Sequence, residues 1–344
     1  MTASSSSKPN ALLFGLGSIG GVYASILARS GAADTSVVAR SNYAAVKDKG
    51  FDLQSEKFGD HHLVFDGVYR DTKEAAASGK VFDYVLCANK ALLDAKPSLA
   101  ETLAPVITPN VTSIVLLQNG VGAEAPLHAA FPNTTIISAV VWTGAKVLPA
   151  SEAGVPRVQQ FAREQLTIGV DATPGLDAAV ERARLARLVE VLQKGGGTCE
   201  VVDDIQSARW IKVVWNCAWN TLTTVTRLRT NHIFGSSPGA AEFAVQLMSE
   251  VVAVARAKGL TVPEGTERDL LKQCQAVGGP GLPSSMMFDN EAGRPMEVEV
   301  ILGTPVREGQ RLGVPVPILT TLYTIIKALD WRNANPETAA APGP

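Results

Sequence analysis

The sequence is poor in the residues that build metal centres and disulfide frameworks. Its 344 residues include only four cysteines and four histidines, and neither type shows CxxC or metal-ligand spacing. The cysteines lie in apolar runs, which is typical of a reduced, intracellular protein whose thiols serve as small hydrophobic groups. We therefore expect no bound metal and a cytoplasmic location.

The chain also lacks a strong charge of either sign and any long hydrophobic run. The formal net charge is −2, so the concentrated positive field that nucleic-acid binding requires is missing. No run approaches the ~18 apolar residues that a membrane span needs. We therefore expect neither a nucleic-acid nor a membrane partner. Residues 1–10 and 333–344 are predicted to be disordered tails.

From residue 11 onward, short apolar runs alternate with helical patterns. Helices are predicted near 18–29, 92–106 and 122–131, and this alternation favours a parallel α/β sheet. RVQQF and QLTIGV resemble an added antiparallel pair, and an amphipathic helix follows them. The runs with the length and β-branched content of buried strands are ALLFG, TSVVAR, FDYVLCAN, TSIVLLQN and TTIISAVVW.

The pattern changes after residue 203, because residues 205–332 show helix after helix without a convincing strand. The predicted fold class is α/β: an N-terminal Rossmann-type dinucleotide-binding domain over 11–203, followed by an all-α domain over 204–332. A cleft between two domains is a common place for a small ligand. The apolar helical domain could also support a homodimer.

Three glycines after the first predicted strand have GxGxxG spacing. In a strand–loop–helix context, the first permits a tight turn, the second lets a pyrophosphate approach the backbone, and the third lets helix and strand pack closely. The helix N-terminus then presents free N–H groups to the phosphate. Glycines that merely turn a strand into a helix are the alternative. The predicted dinucleotide-binding residues are Gly15, Leu16, Gly17, Ser18, Ile19 and Gly20.

Polar residues at the ends of the next strands bear on the choice of cofactor. Arg40 stands where a carboxylate would favour NAD, and a guanidinium there would pair with a 2′-phosphate, so NADPH/NADP+ is favoured. Lys90 and Asn119 end the two following strands and are placed to meet the nicotinamide half. The alternatives are a surface arginine, a lysine that caps the sheet edge and a simple Asn119-Gly120 turn.

The segment WIKVVWNCAWN, residues 210–220, is apolar except for a polar residue at every fourth position. On a helix, Lys212, Asn216 and Asn220 form a stripe roughly 12 Å long. Burying an unpaired amide costs on the order of 1–3 kcal/mol, so the stripe is either a solvated face or faces a polar ligand. The absence of Glu and Arg from it favours a ligand. Glu297, inside a later predicted apolar helix, is either a partner for Lys212 or an ordinary exposed acid.

The ordered set of these pieces resembles the ketopantoate reductase family from about residue 11 to residue 332. The pieces are GLGSIGG, VVAR, NKA, LLQNGVG, WIKVVWNCAWN, SSMMFDNEAGRPMEVE and GVPVPILTTLYTIIKAL. The resemblance implies a Rossmann domain followed by a helical domain, and NADPH as the reductant. It implies reduction of a 2-keto acid, 2-dehydropantoate, to (R)-pantoate for pantothenate and coenzyme A synthesis.

The resemblance also implies roles for individual residues. Lys212 would be the general acid that protonates the substrate carbonyl, with Glu297 beside it. The substrate-binding positions would be Asn216, Asn220 and Ser285. Arg40 would hold the 2′-phosphate, and Lys90 and Asn119 would line the nicotinamide end of the cofactor site.

The sequence departs from the family pattern in ways that concern the substrate. Leu282 stands where some relatives carry a polar substrate-contacting residue, and the 148–164 connection is longer. A reductase of another 2-keto acid with the same mechanism is therefore the second hypothesis. A non-catalytic NADP(H)-binding sensor is the third, and the Lys212–Glu297 pair argues against it.

Overall fold

The computed structural model describes residues 8–339, which form two compact units. Unit 1 comprises 8–90, 95–118 and 124–205, and unit 2 comprises 91–94, 119–123 and 206–339. The division at residue 203 expected from the sequence would place 91–94 and 119–123 in the first domain. In the structure, both segments pack with the helices of unit 2 instead.

Unit 1 contains an eight-stranded and a four-stranded sheet. The larger has the order β12-β11-β8-β7-β6-β1-β2-β5, and the smaller has the order β4-β3-β10-β9. The strands are β1 Asn10–Phe14, β2 Asp34–Val38, β3 Phe51–Ser55, β4 His61–Leu63, β5 Gly67–Tyr69, β6 Tyr84–Cys87, β7 Ser113–Leu116, β8 Thr135–Val141, β9 Gly144–Leu148, β10 Arg157–Phe161, β11 Leu166–Asp171 and β12 Cys199–Val201. The helices are α1 Ser18–Ser30, α2 Tyr43–Lys49, α3 Thr72–Ala77, α4 Leu99–Leu103, α5 Glu124–Ala130 and α6 Ala178–Lys194.

The five strands predicted from apolar runs are β1, β2, β6, β7 and β8. They are parallel neighbours at the centre of the large sheet and are buried along nearly all of their length. Burial on both faces explains why their sequences are apolar runs rather than alternating patterns. The α/β fold class is confirmed. The elements between 43 and 69 were not predicted.

The predicted pairing of RVQQF with QLTIGV is wrong. The first is β10, which pairs with β9 and β3 in the small sheet, and the second is β11, which pairs antiparallel with β8 in the large sheet. The chain passes from one sheet to the other through 162–165, where Ala162 has a φ of 56°. Because β11 is antiparallel to β8, the large sheet is mixed rather than purely parallel.

The helix predicted over 92–106 is much shorter in the structure. Residues 91–98 are irregular, and α4 begins only at Leu99, followed by one 3₁₀ turn, Ala104–Val106. Pro97 cannot donate a backbone hydrogen bond, and Ser98 forms a capping box with Glu101. The helix start is thus set by these residues and not by the apolar pattern before them.

Unit 2 is helical, and its core surrounds α7. Its helices are α7 Ile205–Thr226, α8 Thr230–Ser236, α9 Ala240–Ala257, α10 Thr266–Gln275, α11 Ser285–Glu291, α12 Thr304–Leu312, α13 Pro317–Ala334 and α14 Pro336–Ala339, with one π-helical turn at Glu299–Gly303. α13 and α14 contradict the tail predicted from residue 333. The rest of that tail, 340–344, and residues 1–7 of the other lie outside the described residues.

Candidate active site

α7 carries the predicted polar stripe into the core of unit 2. Lys212, Asn216 and Asn220 follow one another at one-turn intervals along this helix. The two asparagines are only 6% and 5% exposed, and Lys212 is partly buried. A solvated face, the alternative left open by the sequence, is therefore excluded.

The two asparagine side chains keep unused hydrogen-bond donors. Within residues 8–339, neither the Nδ2 of Asn216 nor that of Asn220 has a hydrogen-bond partner. A buried donor left without an acceptor costs about 1–3 kcal/mol. Such donors in a folded helix are explained by a polar ligand that accepts from them.

Glu297 lies immediately before the helical turn that starts at 298, and not inside a helix as expected. Its carboxylate is 7% exposed and accepts two hydrogen bonds within unit 2. The Ala91 N–H donates to Oε1 at 3.1 Å, and the Asn119 side-chain amide donates to Oε2 at 3.3 Å. The structure thus brings Asn119 and Glu297 together and fixes the carboxylate from two sides.

Lys212 and Glu297 interact electrostatically. Burial lowers the pKa of Lys212 to about 8, the Glu297 carboxylate opposes that fall, and the Arg209 guanidinium adds to it. A lysine ordinarily titrates near ~10.4. A pKa close to neutral pH makes the ammonium a far better proton donor than an exposed lysine.

Arg209 is a residue that the sequence reasoning missed. Its side chain is 2% exposed, and its Nε and Nη2 donate to the Gly120 carbonyl at 3.1 and 2.7 Å. The Val121 N–H donates to the Val300 carbonyl at 2.9 Å. Segment 119–123 is thereby held between α7 and the π-helical turn. The only sequence signal for Arg209 was its position on an apolar helix, three residues before Lys212.

The two serines of the SSMM segment have different roles. Ser284 is the buried N-cap of α11, where its hydroxyl accepts from the Met287 N–H and is hydrogen-bonded to Thr223. Ser285 is the first residue of the helix and is exposed. Its side chain is therefore not committed to the cap, and its predicted contact with substrate stays a prediction.

In unit 1, the glycine loop has the backbone that the GxGxxG spacing predicts. Gly15 has a φ of 102°, and a Cβ there would lie 2.5 Å from the Asn89 nitrogen. A Cβ on Gly20 would collide with the Gly15 carbonyl, whereas one on Gly17 would meet open space. Gly17 is the N-cap of α1, whose first turn contains no acid. These features fit a dinucleotide pyrophosphate placed against the helix N-terminus.

Of the remaining predicted cofactor residues, Arg40 and Lys90 lie in unit 1, after the carboxyl ends of strands, whereas Asn119 belongs to unit 2. Arg40 follows β2 and Lys90 follows β6, and both are exposed. Between residues 8 and 339, no group of three or more His, Cys, Asp or Glu side chains is placed to hold a metal ion. In the same range, no helix combines the length and hydropathy that crossing a bilayer requires.

Comparison with known proteins gives matches over nearly the whole chain. The family profiles "Ketopantoate reductase PanE/ApbA" and "Ketopantoate reductase PanE/ApbA C terminal" match residues 11–171 and 204–330. A 2-dehydropantoate 2-reductase from Nostoc sp. is 29% identical, over 93% of this chain and 95% of its own length. The crystal structure of 2-dehydropantoate 2-reductase from Methylococcus capsulatus has a TM-score of 0.79 at 32% identity, covering 94% of this chain and 98% of that one.

A more distant structure shares the fold. A ternary structure of D-mandelate dehydrogenase with NADH and anilino(oxo)acetate has a TM-score of 0.77 at 18% identity, covering 94% of this chain and 99% of that one. Together, the fold, the site and these matches define an oxidoreductase that uses a nicotinamide dinucleotide. The chain belongs to the ketopantoate reductase PanE/ApbA family, which confirms the resemblance read from its sequence motifs.

Proposed function

We propose that this enzyme reduces 2-dehydropantoate to (R)-pantoate with NADPH. The observation that carries the proposal is Lys212, whose pKa lies at about 8 and which interacts with the fixed Glu297 carboxylate. Asn216 and Asn220, on the same helix, provide donors for the oxygens of a keto acid. Family membership and the relatives named 2-dehydropantoate 2-reductase support the same substrate.

The residues of unit 2 act on the substrate carbonyl. The nicotinamide supplies a hydride to the carbonyl carbon when it is bound. Lys212 stabilises the negative charge that develops on the carbonyl oxygen and transfers its proton to that oxygen. Glu297 keeps the ammonium oriented, and its own position is fixed by Ala91 and Asn119. The amides of Asn216 and Asn220, together with the Ser285 hydroxyl, bind the carboxylate and hydroxyl oxygens.

The preference for NADPH over NADH rests on Arg40. Residues 39–42, directly after β2, contain no acid, and the exposed Arg40 guanidinium is available to a 2′-phosphate. Replacing Arg40 with Ala should raise KM for NADPH about tenfold or more, since a charge-assisted hydrogen bond contributes about 1.5–3 kcal/mol. KM for NADH should hardly change. An equal change for both cofactors would count against this role.

The decisive test is initial-rate kinetics with NADPH and NADH across a panel of 2-keto acids that includes 2-dehydropantoate. Lys212→Ala should bind NADPH normally, as measured by fluorescence titration, and lose most of its kcat. Wild-type protein that oxidises neither cofactor with any keto acid would support a sensor instead. Full activity of Lys212→Ala would refute the proton-donor role.

A second candidate is a reductase of another 2-keto acid. Leu282 favours it, because this apolar side chain stands where some relatives carry a polar substrate-contacting residue. Its backbone N–H donates to the Thr230 hydroxyl at 2.9 Å. The keto acid with the highest kcat/KM in the same panel would identify the substrate.

We also propose a cytoplasmic location, a role in pantothenate and coenzyme A synthesis, and a homodimer. The homodimer proposal is supported by large apolar side chains exposed on unit 2, namely Phe288 (48%), Ile325 (41%) and Trp331 (58%). Sedimentation equilibrium of the wild type and of Trp331→Ser would test the assembly. Dimerisation unaffected by that change would exclude this surface.

A further inference from the structure

The indole N–H of Trp219 is a buried polar group to which the proposed reaction assigns no role. Its side chain is 2% exposed, and within the described residues its indole Nε1 has no hydrogen-bond partner. The ring is fixed by edge contacts, with centroids 5.8 Å from Trp215 and 5.5 Å from Phe234. The N–H is therefore held in one place, where it costs about 1–3 kcal/mol unless an acceptor reaches it.

The position of Trp219 along α7 places this donor beside the substrate-binding amides. Seven residues correspond to about 700° of helix rotation, so Trp219 projects within about 20° of the direction of Lys212. Helical side chains lean toward the N-terminus, so the indole covers the turn that contains Asn216. One side of the helix thus carries three N–H donors, those of Asn216, Trp219 and Asn220. None of these donors has a hydrogen-bond partner within residues 8–339.

We propose that the Trp219 indole N–H is a third substrate donor, which binds an oxygen at the end of the 2-keto acid distant from the reacting carbonyl. This inference rests on the proposed reduction of a 2-keto acid. Because Trp219 follows Lys212 by about two helical turns, its donor is assigned to the substrate oxygen farthest from the carbonyl that Lys212 protonates. Indole donates and cannot accept, which selects a hydroxyl or carbonyl oxygen over an ammonium.

The assignment has a consequence for specificity. A site built to bind a hydroxyl discriminates against an analogue without one, because the buried donor is then left unpaired. The substrate class is therefore a 2-keto acid with an oxygen substituent at its far end. 2-Dehydropantoate, with its terminal hydroxyl, belongs to this class, and 3,3-dimethyl-2-oxobutanoate, which lacks only that hydroxyl, does not.

The test compares these two compounds in Trp219→Phe, which removes the N–H and keeps an aromatic ring. KM for 2-dehydropantoate should rise about tenfold, as expected for the loss of one hydrogen bond, while kcat stays within about threefold of wild type. KM for the analogue should not change. Trp215→Phe is the matched control, because it makes the same replacement one turn earlier on the same helix and keeps an aromatic ring beside Trp219, and it should affect neither compound.

An unchanged KM, or an equal rise for both compounds, would overturn the assignment. Should Trp219→Phe fail to fold, the wild type decides: 2-dehydropantoate, and not the analogue, should shift the Trp219 indole N–H resonance in ¹⁵N-Trp-labelled protein. The resonance is assigned by Trp→Phe replacement at the other four tryptophans, and no selective shift would overturn the proposal. If the wild type reduces neither compound, both the proposed function and this inference are refuted. If the wild type is active but the KM of Trp219→Phe equals that of the wild type, only this inference is refuted.

Discussion

At the scale of single residues, the environment of Lys212 controls when the enzyme can supply a proton. Burial favours the neutral amine, and Glu297 partly restores the ammonium. Together with the Arg209 guanidinium, which also favours the neutral amine, these effects leave the pKa of Lys212 at about 8. The lysine is thus mostly protonated at neutral pH and still close to the point at which it releases its proton.

The rate of keto-acid reduction should accordingly fall at alkaline pH. The donor must be protonated, and Lys212 is protonated below its pKa of about 8. We expect kcat/KM to be level below that pH and to decrease about tenfold per pH unit above it. A pH series of initial rates at saturating NADPH measures this decrease, which is the alkaline limb of the pH profile. A rate that stays constant up to pH 10 would contradict the assignment of Lys212 as the acid.

Glu297→Gln should lower kcat about a hundredfold, in the range typical of acid–base groups. Glutamine keeps the acceptor for the Ala91 N–H but removes the charge that raises the pKa of Lys212. The alkaline limb should therefore move to lower pH than in the wild type. The control is Glu291→Gln, an exposed acid at the end of α11. A reduced rate with an unmoved limb would show that Glu297 does not act on the lysine.

The sequence could predict the residue types of this site but not all of their surroundings. Periodicity was enough for Lys212, Asn216 and Asn220, because four-residue spacing on a helix fixes their common face. Glu297 was recognised by its apolar neighbours, yet its donor Ala91 acts through a backbone N–H that carries no side-chain signal. Arg209 was missed for a similar reason, since its acceptor is the Gly120 carbonyl.

At the scale of elements, the turn around Gly120 connects segment 119–123 to the π-helical turn. Gly120 has a φ of 82°, and a Cβ would collide with the Val300 side chain and lie 2.5 Å from its carbonyl oxygen. Asn119, next to it, donates to Glu297. A glycine in this position lets the two backbones approach closely enough for that hydrogen bond to form.

Gly120→Ala should therefore destabilise the protein and impair catalysis. Left-handed backbone strain and overpacking together cost about 3 kcal/mol, to be measured by urea unfolding. Gly278→Ala is a suitable control, because its Cβ would meet nothing within 4 Å and its φ is not positive. Equal stability of the two variants would mean that the close approach to Val300 is easily relaxed.

Elements differed in how well their sequences predicted them. The central strands were predictable, since burial on both faces leaves a continuous apolar run. The partners of β10 and β11 were not, because alternation along a strand does not specify which neighbour it pairs with. The prediction for α4 was too long, because the apolar pattern of 92–98 belongs to an irregular segment that contains Pro97 and ends before Leu99.

At the scale of the whole molecule, unit 2 is discontinuous in sequence. It needs segments 91–94 and 119–123, which the chain contributes from within the sequence of unit 1. These segments supply both donors to Glu297 and the acceptor for Arg209. Cutting the chain at the boundary suggested by its secondary structure would therefore not release a complete helical unit.

A fragment of residues 204–339 should be helical by circular dichroism but should lack a cooperative thermal transition. It removes the Gly120 carbonyl that accepts from Arg209 and the Ala91 and Asn119 groups that donate to Glu297, and each lost hydrogen bond to a charged group costs about 1.5–3 kcal/mol. Full-length protein cleaved at a protease site inserted between Asp203 and Asp204 retains both segments and should unfold cooperatively. A fragment with the melting temperature of the intact chain would refute this view.

The same discontinuity sets the order in which the site can form during synthesis. Glu297 lies 206 residues after Ala91 and 178 after Asn119, the two residues that donate to it. At about 5–20 residues per second, the ribosome synthesises Ala91 and Asn119 roughly ten to forty seconds before Glu297, whose carboxylate accepts their hydrogen bonds. Unit 1 is complete in sequence at residue 205, so its glycine loop can fold before Glu297 is synthesised, and the site for proton transfer forms only after that.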